Sequence, residues 1–131
     1  MEYPALVTKK IRQQWDKSIH TPIDTERTWI HGDLHARNVL VHEGRITAVI
    51  DWGDITSGDS ATDLASIWLL FPDRETRRAL ISSFTHLSEA TWHRARGWAI
   101  LFAVLLLDTG LVNDPRNAEI GRKTLQNILE D

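Results

Sequence analysis

Cysteine is absent from the 131 residues, which excludes a disulfide framework, a thiolate zinc site and a cysteine nucleophile, and agrees with a cytoplasmic location. An excess of one charge is also missing. The 15 Lys+Arg stand against 18 Asp+Glu, a net charge of -3 with a pI near 6.0, so no broad basic surface forms and nucleic acid is not an expected partner. Long hydrophobic runs are lacking too. The most apolar stretch, Trp98 to Leu107, closes with Asp108 after ten residues, well short of the roughly 20 that a membrane-spanning helix requires. It reads as a buried core helix, with no membrane partner expected. The opening Met1-Glu2-Tyr3-Pro4 has no basic region followed by an apolar one, so no signal peptide is expected. The seven glycines form no Gly-x-Gly-x-x-Gly run. None of the four lysines, Lys9, Lys10, Lys17 and Lys123, follows a Val-Ala-Ile-type strand.

What remains is a composition of 42% apolar and 25% charged residues, that of one globular domain spanning residues 1–131. Residues 1–28 read as a leading helix, Ala5 to Ser18 with Leu6, Ile11 and Trp15 near one face, and a loop around Pro22 and Asp24. Trp29-Ile30 is a short extended entry. Val39 to His42 and Arg45 to Ile50 are two β-rich runs around Glu43-Gly44, a hairpin pattern. A polar loop reaches Gly58, and residues 59–131 are helical. Asp59 caps a helix carrying Leu64, Ile67, Trp68 and Phe71; Pro72-Asp73 starts a second. Ser88 caps a long third helix that stops near Gly110, and Asp114-Pro115 starts the last. The expected fold is mainly α with a small β-hairpin.

The polar residues around the hairpin carry the chemistry. In order they are His31-Gly32-Asp33-Leu34-His35-Ala36-Arg37-Asn38, the hairpin, then Asp51-Trp52-Gly53-Asp54. Because the arms fold back on each other, Asn38 and Asp51 lie opposite or within two residues, about 7 Å of strand rise. An amide oxygen and a carboxylate are hard ligands of the kind that hold magnesium beside phosphate oxygens. Asp33 reaches the same space from the preceding loop, where a carboxylate can accept the proton of an attacking hydroxyl.

His31-Gly32-Asp33-x-x-x-x-Asn38 resembles the catalytic loop of the aminoglycoside phosphotransferase and choline kinase-like enzymes, and Asp51-Trp52-Gly53 resembles their counterpart of the kinase Asp-Phe-Gly motif. Asn38-Val39-Leu40-Val41 and Gly58-Asp59-x-x-x-Asp63-Leu64-Ala65 extend the likeness, which is strong over Trp29 to Trp68 and looser beyond. The resemblance implies the C-terminal lobe of a protein-kinase-like fold. It makes Asp33 the catalytic base and Asn38 and Asp51 the Mg2+ and nucleotide ligands, with ATP or GTP as donor. Asp63 becomes the support of the catalytic loop. His31 and His35 are hydrogen-bonded loop supports, Trp52 packs beneath the site, and Asp54 is a candidate acceptor contact. Only Trp52 to Gly58 separates the metal motif from the next helix, too little for the activation segment of a protein kinase. A small-molecule acceptor is therefore expected, an aminoglycoside-like antibiotic first, with drug resistance as the consequence.

Plainer readings exist for each residue. Asp33 or Asp51 alone would be turn residues, Asp59 and Asp63 suit a helix start, and Trp15, Trp68, Trp92 and Trp98 fall at apolar helical positions that suit a core. Two other functions also compete. Gly32-Asp33-Leu34-His35 resembles the opening of metallophosphoesterases, which hold two metals, but that family needs a later Gly-Asn-His block and further metal-binding histidines, whereas His86 and His93 sit in the helical half without such company. A non-catalytic, kinase-like binding domain is the second alternative, because kinase-like transfer needs a nucleotide-covering loop and a strand lysine from an N-terminal lobe. That lobe is read as absent from this sequence or supplied separately, and the chain is expected to turn over little by itself.

Overall fold

The computed structural model describes residues 6–131; Ala5, where the first helix was expected to begin, lies outside them. Helix α1 (Lys9–Ile19) starts at Thr8, whose Oγ1 accepts the Ile11 N–H at 3.3 Å, and it buries Ile11. A loop follows, and then four short strands nest. Strand β1 (Thr28–Ile30) pairs antiparallel with β4 (Thr56–Gly58), Trp29 opposite Ser57. Between them, β2 (Val39–His42) pairs with β3 (Arg45–Val49), Val39 opposite Val49. The hairpin turn works because Glu43 and Gly44 both take positive φ, 50° and 75°, matching the twist of the arms. Residues 56–58, expected as loop, form a strand instead; a three-residue Thr-Ser-Gly run is too short to show alternation.

The rest is helical, as expected. Helices α2 (Ala61–Leu64) and α3 (Ser66–Leu70) divide what reads as one helix, because at Ala65 the chain tightens and the Trp68 N–H bonds three residues back to Ala65 O. Asp59 Oδ1 accepts the Ala61 N–H at 3.1 Å, the capping role expected of it. Asp73, Ser88 and Asp114 likewise cap α4 (Arg74–Ser83), α5 (Glu89–Asn113) and α6 (Pro115–Glu130), each accepting a first-turn N–H. Trp68 and Trp92 are buried, and Trp15 and Trp98 pack against the same core.

Helix α5 has 25 residues, not the ten of its most apolar stretch, and is long and apolar enough by composition to cross a membrane. In this fold it is the central core helix, burying Trp92, Ala95, Ala99, Ala103 and Leu107 against its neighbours. It also runs through Gly110 to Asn113 rather than stopping at the glycine. Gly110 serves close approach instead: a Cβ there would overlap the backbone of Ala118 in α6, which packs antiparallel against α5. Gly110→Ala gains up to ~1 kcal/mol in helix propensity but overpacks a backbone contact, which costs about 1–3 kcal/mol. A net fall in thermal unfolding midpoint is the expected result.

Two arginines are buried with full sets of partners. Arg77 is 0% exposed and donates to Asp131, Glu130 and the carbonyls of Phe71, Pro72 and Asn127. Arg94 donates to Asp59 Oδ2 at 2.8 Å, Pro22 O at 2.9 Å and Asp24 Oδ1 at 3.1 Å. It thereby ties α5 to the leading loop and to the segment entering α2.

Candidate active site

Every residue singled out around the hairpin, except Asp63, lies between β1 and β4. Their pairing closes the ends of segment 31–55, and the β2–β3 ladder closes its middle. The Ile50 N–H donates to Asn38 O at 2.9 Å, which sets Asn38 beside the residue preceding Asp51. Asp51 takes a left-handed conformation, φ 61° and ψ 65°, a region that aspartate tolerates better than most side chains. Its carboxylate is exposed and makes no hydrogen bond among the described residues.

The loop before Asn38 is held from below by Asp63. Its Oδ2 accepts the His31 N–H at 2.7 Å and its Oδ1 the Gly32 N–H at 3.0 Å. Gly32 has φ +91°, and a Cβ there would meet Asp54 O at 3.0 Å, so glycine is required both by conformation and by contact with the Asp51–Asp54 turn. His31 is buried. Its Nδ1 accepts the Asp33 N–H at 3.1 Å, so the proton is on Nε2, which donates to Ile50 O at 2.8 Å. One imidazole thus bridges the loop and the hairpin's return arm. Trp52 packs on that ring edge-on, centroids 4.6 Å apart, and its Nε1–H donates to Val49 O at 2.9 Å. It lies beside His31 and stays 49% exposed, rather than buried beneath the site.

Asp33 is engaged at both oxygens. The Asn38 Nδ2–H donates to Asp33 Oδ2 at 3.2 Å and to Asp33 O at 2.8 Å, while His35 Nε2 lies 3.2 Å from Asp33 Oδ1. The Arg37 N–H donates to His35 Nδ1 at 3.3 Å, which leaves the His35 proton on Nε2, facing Asp33. Burial holds the His35 imidazole below the ordinary histidine value; the Asp33 carboxylate pulls upward, and Arg37 and His31 add to the fall. His35 is therefore neutral at neutral pH, a polar neighbour of Asp33 rather than its counter-ion. Asn38 is buried with its amide nitrogen committed to Asp33. Its amide oxygen accepts no hydrogen bond among the described residues.

The four acids Asp51, Asp54, Asp59 and Asp63 serve different ends. Asp59 is consumed by Arg94 and the start of α2, Asp63 by the loop amides, and only Asp51 and Asp54 face solvent. Sequence spacing misses Arg37, which bonds Asp114 and, at 3.1 Å, Asn117 Oδ1, fastening the turn at Ala36–Asn38 to the start of α6. No local pattern points to partners that distant in the chain. His93 lines a cavity against α1 and His86 sits beside Phe84. Among the described residues, no three His, Asp or Glu side chains gather as a metal cluster, and the second metallophosphoesterase site has nothing to build it.

The chain is 43% identical to hygromycin-B 4-O-kinase of Escherichia coli over 56 residues, covering 39% of this chain and 16% of that protein. It is 32% identical to thiamine kinase of Shigella boydii over 73 residues, covering 53% of this chain and 26% of that one. The fold matches a thermostable mutant of aminoglycoside phosphotransferase APH(4)-Ia with a TM-score of 0.51 at 21% identity, over 98% of this chain and 47% of that structure. The chain thus spans about half of the solved relative, and its alignments cover about a quarter or less of these two kinases. A family model described as the phosphotransferase enzyme family matches residues 3–98. Mainly helical, kinase-like in fold and matched over most of its length, the chain belongs to that family.

Proposed function

We propose that the chain is the acceptor- and metal-binding lobe of a small-molecule phosphotransferase, with Asp33 as the base. The observation that carries this reading is the pairing of Asp33 with Asn38. One side chain orients the other, and each keeps the chemical capacity the reaction needs. Asp33 accepts the proton of the acceptor hydroxyl as its oxygen bonds to the γ-phosphorus of ATP or GTP, releasing the nucleoside diphosphate. The hydrogen bond from Asn38 and the contact with His35 aim the carboxylate, and Asp63 and His31 hold the backbone beneath it.

Mg2+ fits the remaining donors. The Asn38 amide oxygen and the Asp51 carboxylate are two hard oxygens free of protein partners among the described residues, and water and phosphate oxygens would complete an octahedron. Bound there, Mg2+ would neutralise charge developing on the transferred phosphoryl group. The site is an open face bordered by exposed Leu40, Val41, Ile46, Ile50, Trp52 and Ile55, an apolar rim suited to a nucleotide-covering lobe. The cytoplasm supplies such a reaction with nucleotide.

ADP release by the purified chain tests this, with Mg2+, ATP and a panel including hygromycin B and thiamine. The chain alone is expected to stay at the blank. Fusion of a glycine-rich nucleotide-binding lobe ahead of residue 1 is expected to give acceptor-dependent turnover that Asp33→Ala abolishes. Turnover by the chain alone would remove the need for a second lobe, and turnover that survives Asp33→Ala would overturn the base.

A further inference from the structure

A cavity of about 370 Å³ opens between α1, the first turns of α5 and the end of α6, lined by Lys10, Gln14, Lys17, His93, Arg96 and Asp131 among others. None of the Asp33, Asn38 and Asp51 set lines it. Buried polar atoms nearly always have partners, yet two here have none: Gln14 Nε2 and His93 Nδ1 are buried and unbonded among the described residues. Both residues face the same cavity.

Cationic charge there is also under-compensated. The Arg96 guanidinium lies over the Trp68 ring, 5.1 Å from its centroid, and makes no hydrogen bond or ion pair among the described residues. Asp131, the acid on the cavity wall, is already taken by Arg77 and by the Trp68 Nε1–H. Burial pushes Arg96 below its ordinary value, with Asp131 and Glu89 pulling back. Burial, Lys17 and Arg96 push His93 down as well, against Glu89. Arg96 and Lys17 thus stand as cations without a carboxylate of their own, and the Gln14 amide and His93 imidazole add unbonded polar nitrogens beside them. A planar guanidinium braced on an aromatic ring is suited to a bidentate oxyanion. Ile11 and Ile128 supply an apolar wall.

We infer that this cavity is a second binding site, separate from the phosphotransfer site, for a small organic anion whose carboxylate or phosphate meets Arg96, Lys17, Gln14 and His93 and whose apolar body lies against Ile11 and Ile128. An anion does here what hydration cannot, because water satisfies hydrogen-bonding atoms but does not neutralise the charge of a partly buried cation.

The test is an NMR titration of the 15N-labelled chain, reading the Arg96 Nε–H, the Gln14 side-chain amide and the Trp68 indole N–H. Inorganic phosphate and benzoate are the probes, with chloride at matched ionic strength as control. Saturable shifts with at least one probe and none with chloride are expected; the probe that saturates tells phosphate from carboxylate recognition. Arg96→Gln is expected to weaken that binding about tenfold or more, as loss of a charge-assisted pair does. Lys17→Gln, at an exposed position, should weaken it severalfold and decides the matter if the arginine variant does not fold. Shifts that stay linear with both probes, or that match chloride, mean a cavity holding only water and overturn the site, as does undiminished binding in both variants.

Discussion

Asp33→Asn, introduced into the chain fused to a nucleotide-binding lobe, is expected to lower the rate of phosphate transfer by about 10²–10⁴-fold, the usual contribution of a positioned base, the role proposed for Asp33. The loss should fall on kcat, with KM for the acceptor little changed, because the amide keeps the shape of the carboxylate and loses only its proton affinity. Stability should not be untouched. Asp33 accepts a hydrogen bond from Asn38 at one oxygen and has His35 Nε2 3.2 Å from the other, whereas asparagine keeps one acceptor and turns an amide N–H toward the other neighbour. A cost of about 1 kcal/mol follows for the lost hydrogen bond, visible in chemical denaturation but too small to unfold the chain. Steady-state kinetics beside a denaturation curve separates the two effects. A rate that falls only in proportion to folded protein would count against Asp33 as the base.

Arg94→Met is expected to have the largest effect on stability, a loss of about 3–5 kcal/mol, because it removes one partner of a buried ion pair and strands the other. Asp59 has only 8% of its side chain exposed. Without Arg94 it must hold a charge with only the Ala61 N–H and the long 3.5 Å bond from the Thr25 hydroxyl as compensation, or take up a proton. Against the 5–15 kcal/mol typical of whole domains, that loss leaves a chain partly unfolded at ordinary temperature. The double substitution Asp59→Leu with Arg94→Met should recover part of it, since the stranded charge is gone, though not the bond that starts α2. Denaturant midpoints for the two single variants and the double close the cycle. A single-variant loss below about 1 kcal/mol would show the pair to be solvated.

The parts of the fold legible in the sequence are those governed by neighbouring residues. Glu43-Gly44 between β-rich arms shows the hairpin, and Asp73, Ser88 and Asp114 mark helix starts because capping is a contact over two or three positions. Gly110 is the instructive failure. A glycine near the end of an apolar run reads as a stop, but what it answers to is Ala118 across the helix pair, and no local rule sees that contact. Asp33, Asn38 and Asp51 stand out in the sequence because the hairpin converts separation along the chain into adjacency. The structure sets Asn38 against Asp33 and against the arm that ends at Asp51. Arg94 is invisible for the opposite reason: its partners Asp59 and Asp24 lie 35 and 70 residues away, with nothing between them that fixes the distance.

The nesting of one strand pair inside another also decides where the chain can change length. Residues between β1 and β4 leave and return at fixed points, and the amide of Ile50 pins the inner pair to Asn38. Residues added anywhere along segment 31–38 or 50–55 would drag Asp33, Asn38 or Asp51 out of register with the others. At Glu43-Gly44, the exposed tip beyond both ladders, the same insertion would lengthen the ribbon into solvent and leave the spacing of the three side chains as it is. The hairpin is therefore a spacer with a free end, and relatives built on this plan can differ in its length while keeping the same chemistry at its base.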